Sequence, residues 1–443
     1  MRNKNQIKTR IAPSPTGELH IGTARSALFN YLFAKQNGGE FIVRIEDTDK
    51  ERSKKKFEKD IIEGLEWLGL KSDELFKQSE RTAIYKKHIK KMLDSETAYL
   101  SKEESKAEKG KQIEVVRLKN KGKKVEFDDM IRGKIEFDTT ELGDFVIARS
   151  IDEPLYHLAV VVDDHEMNIT HIIRGEDHIS NTPRQILIQE ALGINRPKYA
   201  HIPLILASDR SKMSKRAENA TSISEYRKKG YISSALVNYM ALLGWNPGND
   251  RELFSLDELI KEFDLEKIHK GGAVFDIEKL NWFNREYIKK MSNEEIFENI
   301  KENLPYEDEI LEKVIPIIVE RINTFGDVKK MAEEGELDYY FKKPEYEAED
   351  LLWKTETDLN VVAEHLQIVS DSLEKISDNK FNREGIKNVI WKYAEEKGKG
   401  SVLWPMRYAL SGRNKSPDPF QLAEVLGKEE TISRLKSAID KIE

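Results

Sequence analysis

The sequence predicts an α/β N-terminal half, interrupted by an inserted α+β segment and followed by an all-α C-terminal half. Three observations carry this. The first 45 residues read as strand, crossover helix and strand, an order that calls for a parallel sheet. Residues 101–124 then lose any clear period, and Val125 to Ile147 alternates as short strands do. After residue 220 the apolar spacing is almost entirely helical, with charged faces and no internal repeat.

Ile7 to Ile11 is the first short strand. It stops at Pro13-Ser14-Pro15-Thr16-Gly17, which can be neither regular helix nor regular strand. A helix begins near Gly22, with Ala24, Leu28, Tyr31 and Leu32 on one face, and Gly38-Gly39 ends it. Phe41 to Ile45 is an apolar strand, and Phe57, Ile61, Leu65 and Leu68 mark the next helix. Residues 86–160 are taken as the insertion. From Leu155 to Arg174 strand signals return, first in LYHLAVVV and then in ITHIIRG. Residues 182–193 read as helix and HIPLIL, 201–206, as one more strand.

Composition narrows the function classes. At 443 residues there is room for about three domains, and 39% apolar residues can build real cores. The longest apolar run, Leu158 to Val162, is far too short to cross a bilayer, and no apolar stretch follows the basic start MRNKNQIKTR. A cytoplasmic protein with neither membrane span nor signal peptide is therefore expected. The absence of Cys excludes disulfides and thiolate zinc sites. The net charge of −7 does not advertise nucleic-acid binding, but phosphate contacts depend on local basic patches rather than on the sum.

Two motifs carry chemistry. His20-Ile21-Gly22-Thr23 sits where a strand hands over to a helix, the usual ligand side of a parallel sheet. Free N–H groups at the helix start favour an anion, Gly22 permits close backbone approach, and His20 can donate to a phosphate oxygen. Alone, a His-x-Gly in a turn is common. The second motif, Lys212-Met213-Ser214-Lys215-Arg216, brings three cations in five residues to a polar loop. Alone it reads equally as a solvated basic loop. Paired, they suit nucleotide transfer: one group fixes phosphates and the other neutralises charge as pyrophosphate leaves.

These residues resemble the HIGH and KMSKS signatures of the class I aminoacyl-tRNA synthetases, Thr23 being a common variant at the last HIGH position. Longer stretches resemble one family within that class, the glutamyl-tRNA synthetases. They are RIAPSPTGELHIGTARSALFNYLFA (10–34), FIVRIEDTDKERS (41–53), YHLAVVVDDH (156–165), RGEDHISNTPRQ (174–185), GGAVFDIEKLNWFN (271–284) and PMRYALSGR (405–413). The resemblance implies a Rossmann-like catalytic domain whose first half is 1–85 and whose second half is 161–220. It also implies an acceptor-end-binding insertion at 86–160, a helical stem-contact domain at 221–300 and a helical anticodon-binding domain at 301–443.

It further implies the chemistry. His20, Thr23, Lys212 and Lys215 would be catalytic, and ATP would lie against His20, Gly22, Lys212, Ser214, Lys215 and Arg216. A glutamate pocket must hold two carboxylates and an ammonium; Arg forks suit the carboxylates. The resemblance assigns that pocket to Arg10, Ser14, Glu46, Tyr156 and Arg174. Without the family, Arg10 and Glu46 read as surface residues at strand ends and Tyr156 as core. ATP is a substrate, Mg2+ travels with it, and no protein-bound metal or zinc is expected. The acids Glu46, Asp47 and Asp49 are not read as a metal site, because the magnesium comes with ATP, and the pair Asp163-Asp164 and His165, His171 and His178 lack metal-ligand spacing.

The implied partners are tRNA(Glu), L-glutamate and ATP, with tRNA(Gln) left open as a second acceptor, and the family's usual state is monomeric. Two departures stand out. The insertion is short and lacks a Cys-rich zinc site, and Val160 stands where many members have Asn. A glutaminyl-tRNA synthetase, whose anticodon region is all-β, fits the helical 300–443 segment poorly.

Overall fold

A computed structural model describes residues 6–104, 112–211, 213, 222–301, 304, 308–354 and 356–443. The chain forms two compact units, Met1–Tyr287 and Ile288–Glu443.

The first unit is built on parallel strands. β1 (Lys8–Ile11) pairs with β2 (Glu40–Ile45), and β2 with β3 (Glu74–Lys77), in registers such as Arg10↔Ile42 and Ile42↔Glu74. β1 is buried along its whole length, as expected of a parallel strand covered on both faces. Even Lys8 is drawn in, its ammonium 2.8 Å from Glu40. The crossover α1 (Ile21–Gln36) is N-capped by His20, whose Nδ1 accepts from the Thr23 amide at 3.3 Å. Gly38 ends the helix at φ 61°, and Gly39 must lack a side chain because a Cβ there would lie 2.2 Å from the Ile7 carbonyl oxygen. α2 (Lys55–Trp67) and α3 (Thr82–Asp94) complete this half.

The insertion follows. β4 (Ala98–Glu104), β5 (Gln112–Leu118), β8 (Phe145–Ser150) and β9 (Glu153–Pro154) form an antiparallel sheet. β4 and β5 fall in the stretch without a clear period, because one face is open to solvent and carries the lysines and glutamates. Between β5 and β8 lies a hairpin, β6 (Lys124–Asp129) with β7 (Gly133–Asp138).

The chain then re-enters the core through α4 (Tyr156–Glu166), a correction to the sequence reading, which took LYHLAVVV for a strand. The run is buried from Leu158 to Asp164, and a helix buried on all sides has the same continuous apolar pattern as a buried strand. β10 (His171–Gly175) and α5 (Thr182–Leu192) match the reading. HIPLIL splits in two: β11 (Lys198–Ile202) ends at Pro203, which cannot donate to a ladder, and β12 (Ile205–Leu206) pairs elsewhere.

β10 pairs with β11, and β11 with β6, all parallel. β10 lies beside β1, joined where the Thr170 amide donates to the Lys8 carbonyl at 2.9 Å and the Lys8 amide to Thr170 Oγ1 at 2.9 Å. Buried Asn30 on α1 reinforces the seam: its side-chain NH2 donates to Ile173 O at 2.8 Å, while its backbone carbonyl accepts from Thr9 Oγ1 at 2.9 Å. The strand order therefore reverses between β1 and β10, and crevices at such switch points are where open α/β sheets bind ligands. α6 (Ile223–Lys228), α7 (Ser233–Leu242), α8 (Leu256–Glu262), β13 (Ala273–Val274, paired with β12) and α9 (Ile277–Ile288) continue the core that holds Leu28, Val43 and Ile202.

The second unit is helical throughout: α10 (Asn293–Ile300), α11 (Asp308–Arg321), α12 (Phe325–Glu333), α13 (Asp338–Phe341), α14 (Leu359–Glu374), α15 (Arg383–Lys397), α16 (Lys399–Ser411), α17 (Pro419–Leu426) and α18 (Lys428–Ile442). Local signals set the ends. Ser292 and Glu295 make a capping box, Asp418 caps α17 with Pro419 next to it, and Gly412 closes α16 at φ 62°. Among the described residues no helix is long and apolar enough to cross a membrane.

Arg434 ties this unit together. It is buried on α18 and donates to the carbonyls of Leu410 at 2.7 Å and Tyr339 at 2.5 Å, and to Glu430 at 2.7 Å. Arg434→Ala strands two buried carbonyls and should destabilise the unit by about 2–4 kcal/mol. Amide hydrogen exchange in α14 and α18 should accelerate while that of β1 and β10 stays put; unchanged exchange in α18 would contradict the role.

Candidate active site

A cavity of about 540 Å³ opens at the carboxyl ends of β1 and β10. Arg10, Ser14, His20, Gly22, Thr23, Glu46, Tyr156 and Arg174 all line it, so residues from 165 positions of chain converge there as the sequence reading expects. Met213 lines it too. Lys212, Ser214, Lys215 and Arg216 lie outside the described residues. Both flanks of that segment are pinned at the site: the Met213 amide donates to Ile205 O at 3.1 Å, and Ser222 bridges to His20 while the Ile223 amide donates to Leu19 O at 2.8 Å.

Charge organises one wall. Asp164 sits between two guanidiniums, accepting from Arg10 Nε at 3.0 Å and Arg44 Nη1 at 2.7 Å. All three side chains are at most 5% exposed. Burial alone would push the Asp164 carboxyl up, but Arg10 and Arg44 outweigh it and hold the group below its usual range. Arg44 also donates to Glu46 Oε1 at 3.2 Å. There burial wins: Glu46 is pushed up to about 7 despite Arg44 and Arg10. Neighbouring Asp163 turns the other way and takes Gln78 at 2.9 Å, Arg81 at 2.7 Å and Tyr85 at 2.8 Å, fastening α3 to α4.

Arg174 differs. Its Nε faces His201 Nε2 at 3.1 Å and its Nη2 donates to Thr182 Oγ1 at 2.8 Å and to the His178 carbonyl at 3.4 Å. Every partner is neutral, no carboxylate pairs with it among the described residues, and its buried Nη1 has no hydrogen-bond partner. Burial holds its pKa below the usual value. A buried cation without a carboxylate partner is costly.

At the other wall, α1 points its amino end at the cavity, with Thr23 Oγ1 3.0 Å from His20 Nε2. A Cβ on Gly22 would lie 3.2 Å from the His20 ring, so a side chain there would crowd it. Tyr156 stands at the mouth, 37% exposed, its hydroxyl 3.4 Å from His178 Nδ1. Val160, one turn further along α4, is buried and does not line the cavity.

The sequence reading missed Arg44, Asp164, Asp129 and His201. Arg44 hides inside the apolar strand FIVRI, and Asp164 was weighed only as a metal ligand. Among the described residues no group of three His, Asp or Glu is placed to hold a metal.

Glu46 makes a testable contribution to stability. Its folded pKa lies above the ordinary carboxyl value, so ionisation favours the unfolded chain as pH rises from about 4.5 to about 7. Glu46→Gln should match the wild type below that window and become progressively more stable than it through the window. A pH-independent difference in urea unfolding would remove the burial argument.

Comparison with known proteins agrees with the geometry. A family model described as tRNA synthetases class I (E and Q), catalytic domain, matches residues 6–114 and 100–282, and one described as anticodon binding domain matches 281–439. The glutamate–tRNA ligase of Thermodesulfovibrio yellowstonii is 41% identical, covering 98% of this chain and 99% of that one. That of Desulforamulus reducens is 39% identical over 98% and 99%. The crystal structure of a glutamate tRNA ligase from Elizabethkingia meningosepticum in complex with its amino acid superposes with a TM-score of 0.86 at 34% identity, covering 99% of this chain and all of that one. With the parallel sheet, the switch-point cavity and full-length similarity in agreement, the chain belongs to the glutamate–tRNA ligases, class I aminoacyl-tRNA synthetases with a helical anticodon-binding domain.

Proposed function

We propose that this enzyme joins L-glutamate to tRNA(Glu) in two steps. A glutamate α-carboxylate oxygen attacks the α-phosphorus of ATP, the bond to pyrophosphate breaks, and glutamyl-adenylate forms. A hydroxyl of the tRNA's terminal adenosine then attacks the acyl carbon and AMP leaves. No protein nucleophile is needed; positioning and charge neutralisation carry the rate.

The observation that carries the reading is Arg174, a buried guanidinium in the cavity with neutral partners and an unused Nη1. With Arg10 it offers cationic donors to the glutamate side-chain carboxylate. Glu46 is suited to the substrate ammonium, because an incoming cation would draw its proton off and complete an ion pair. Ser14 adds a hydrogen bond and Tyr156 closes the side.

ATP, entering with Mg2+, would set its phosphates against His20, Gly22 and Thr23 at the start of α1. Lys212, Ser214, Lys215 and Arg216 would neutralise the departing pyrophosphate. For tRNA we propose the division read from the sequence: acceptor end at 86–160, stem at 221–300, anticodon at 301–443. The enzyme is read as a cytoplasmic monomer.

Pyrophosphate exchange, with and without tRNA, tests the reading. Exchange should require glutamate and should rise sharply when tRNA is added. Arg10→Ala should raise the glutamate requirement far more than the ATP requirement, a loss of roughly 2–5 kcal/mol, because it removes one partner of a buried charge pair. Equal damage to both substrates would make Arg10 structural.

A second reading, that tRNA(Gln) is charged as well, rests on Asp338. This residue opens α13, and the family resemblance implies an Arg in this region of members that refuse tRNA(Gln). A carboxylate is acceptor-only and favours donor-bearing base edges. The reading expects comparable aminoacylation of the two purified tRNAs, and Asp338→Arg should depress tRNA(Gln) first. A preference for tRNA(Glu) above about a hundredfold, roughly 2.7 kcal/mol, would exclude it.

A further inference from the structure

The β6–β7 hairpin enters the catalytic core at its turn. Asp129, the last residue of β6, is 3% exposed. Its Oδ1 accepts from the amides of Ile131 at 3.0 Å and Arg132 at 2.9 Å, which shapes the turn. Its Oδ2 accepts from the His201 amide at 3.1 Å and faces His201 Nδ1 at 2.6 Å. His201 lies on β11, fully buried, and presents Nε2 to Arg174 Nε at 3.1 Å. A second tie runs alongside: Arg132 Nη2 lies 2.6 Å from Glu176 Oε2 and its Nε donates to the His201 carbonyl at 3.3 Å.

Only one proton arrangement satisfies this chain. A guanidinium Nε can donate but never accept. His201 Nε2 must therefore carry the lone pair, so Nδ1 carries the proton and donates to Asp129. With the lone pair on Nε2 the ring is neutral, and burial, offset in part by Asp129, holds its pKa below the ordinary value. Arg174 is held on the other side by Thr182 and the His178 carbonyl. With Nε and Nη2 both fixed, the guanidinium plane is fixed, and so is the direction of the unused Nη1.

We infer that Asp129 and His201 are positioning residues for Arg174, so that the glutamate affinity of the core depends on a carboxylate carried by the inserted hairpin. This rests on the reading of Arg174 as a glutamate ligand. It gives the insertion a second task besides any contact with tRNA: the seating of its β6–β7 turn decides whether Arg174 is aimed.

Asp129→Asn tests it. The Asn oxygen can keep the turn amides, but its NH2 would face His201. The ring would then move its proton to Nε2, setting N–H against N–H at Arg174. Pyrophosphate exchange in the presence of tRNA should show the glutamate KM raised at least about tenfold, with the ATP KM within about threefold of wild type. Nitrogen-15 spectra should show the His201 side-chain proton moving from Nδ1 to Nε2. His201→Gln, whose amide can both donate and accept, should stay within about threefold of wild type, whereas His201→Leu should lose at least about tenfold. A wild-type glutamate KM in Asp129→Asn, or glutamate and ATP KM rising together, overturns the relay. If Asp129→Asn does not fold, equal glutamate KM values for His201→Gln and His201→Leu overturn it instead. Arg174→Ala separates the two readings: a normal glutamate KM there sinks the glutamate site itself, and with it any part the relay plays in glutamate affinity.

Discussion

The charged side of the cavity depends on the carboxylate of Asp164. Arg10 lines the cavity, Arg44 lies behind it on the adjacent strand, and both are buried. Two guanidiniums taken out of water side by side cost several kcal/mol each and repel one another. Asp164 bonds both, so the wall can exist at all. Glu46 depends on the same arrangement, since Arg44 bonds it from below while burial keeps its carboxyl near neutrality. Arg174, on the neighbouring strand β10, lacks such a carboxylate and is left with neutral partners. The contrast separates guanidiniums neutralised within the protein from one that is not.

The backbone supplies the frame that makes this possible. Order reverses between β1 and β10, so the carboxyl ends of both strands open into one crevice. Thr170 and Asn30 hold the seam through bonds to backbone groups on each side. α1 begins at the same crevice, which puts a helix amino end opposite the arginines. Positive potential of two origins thus meets in one cavity: partial charge from N–H groups at the start of α1 and full charges on Arg10 and Arg174. That pairing suits a reaction in which a carboxylate meets a phosphate.

The fold-level features legible in the sequence were those set by local rules. The strand–helix–strand opening, the helix at 182–192 and the all-helical second unit follow from apolar spacing and from Gly, Pro and capping residues. Local pattern failed at LYHLAVVV, where burial on all sides erases the period that separates helix from strand, and at β4 and β5, where an open face carries charge. The candidate site residues Arg10, Ser14, His20, Gly22, Thr23, Glu46, Tyr156 and Arg174 do converge, but resemblance to a family named them; composition and spacing alone left several as surface or core.

By itself, then, the sequence determined the classes of most of its elements, the two signature motifs and the family. It determined them because period, turn chemistry and motif are carried by neighbours in the chain. Tertiary structure decided which charges pair. Asp164 meets Arg10 across 154 positions, and His201 meets Asp129 across 72. No local spacing encodes such pairs. They arise because buried charges and buried ring nitrogens must find partners wherever the sheet brings them, and only the assembled sheet says who is within reach.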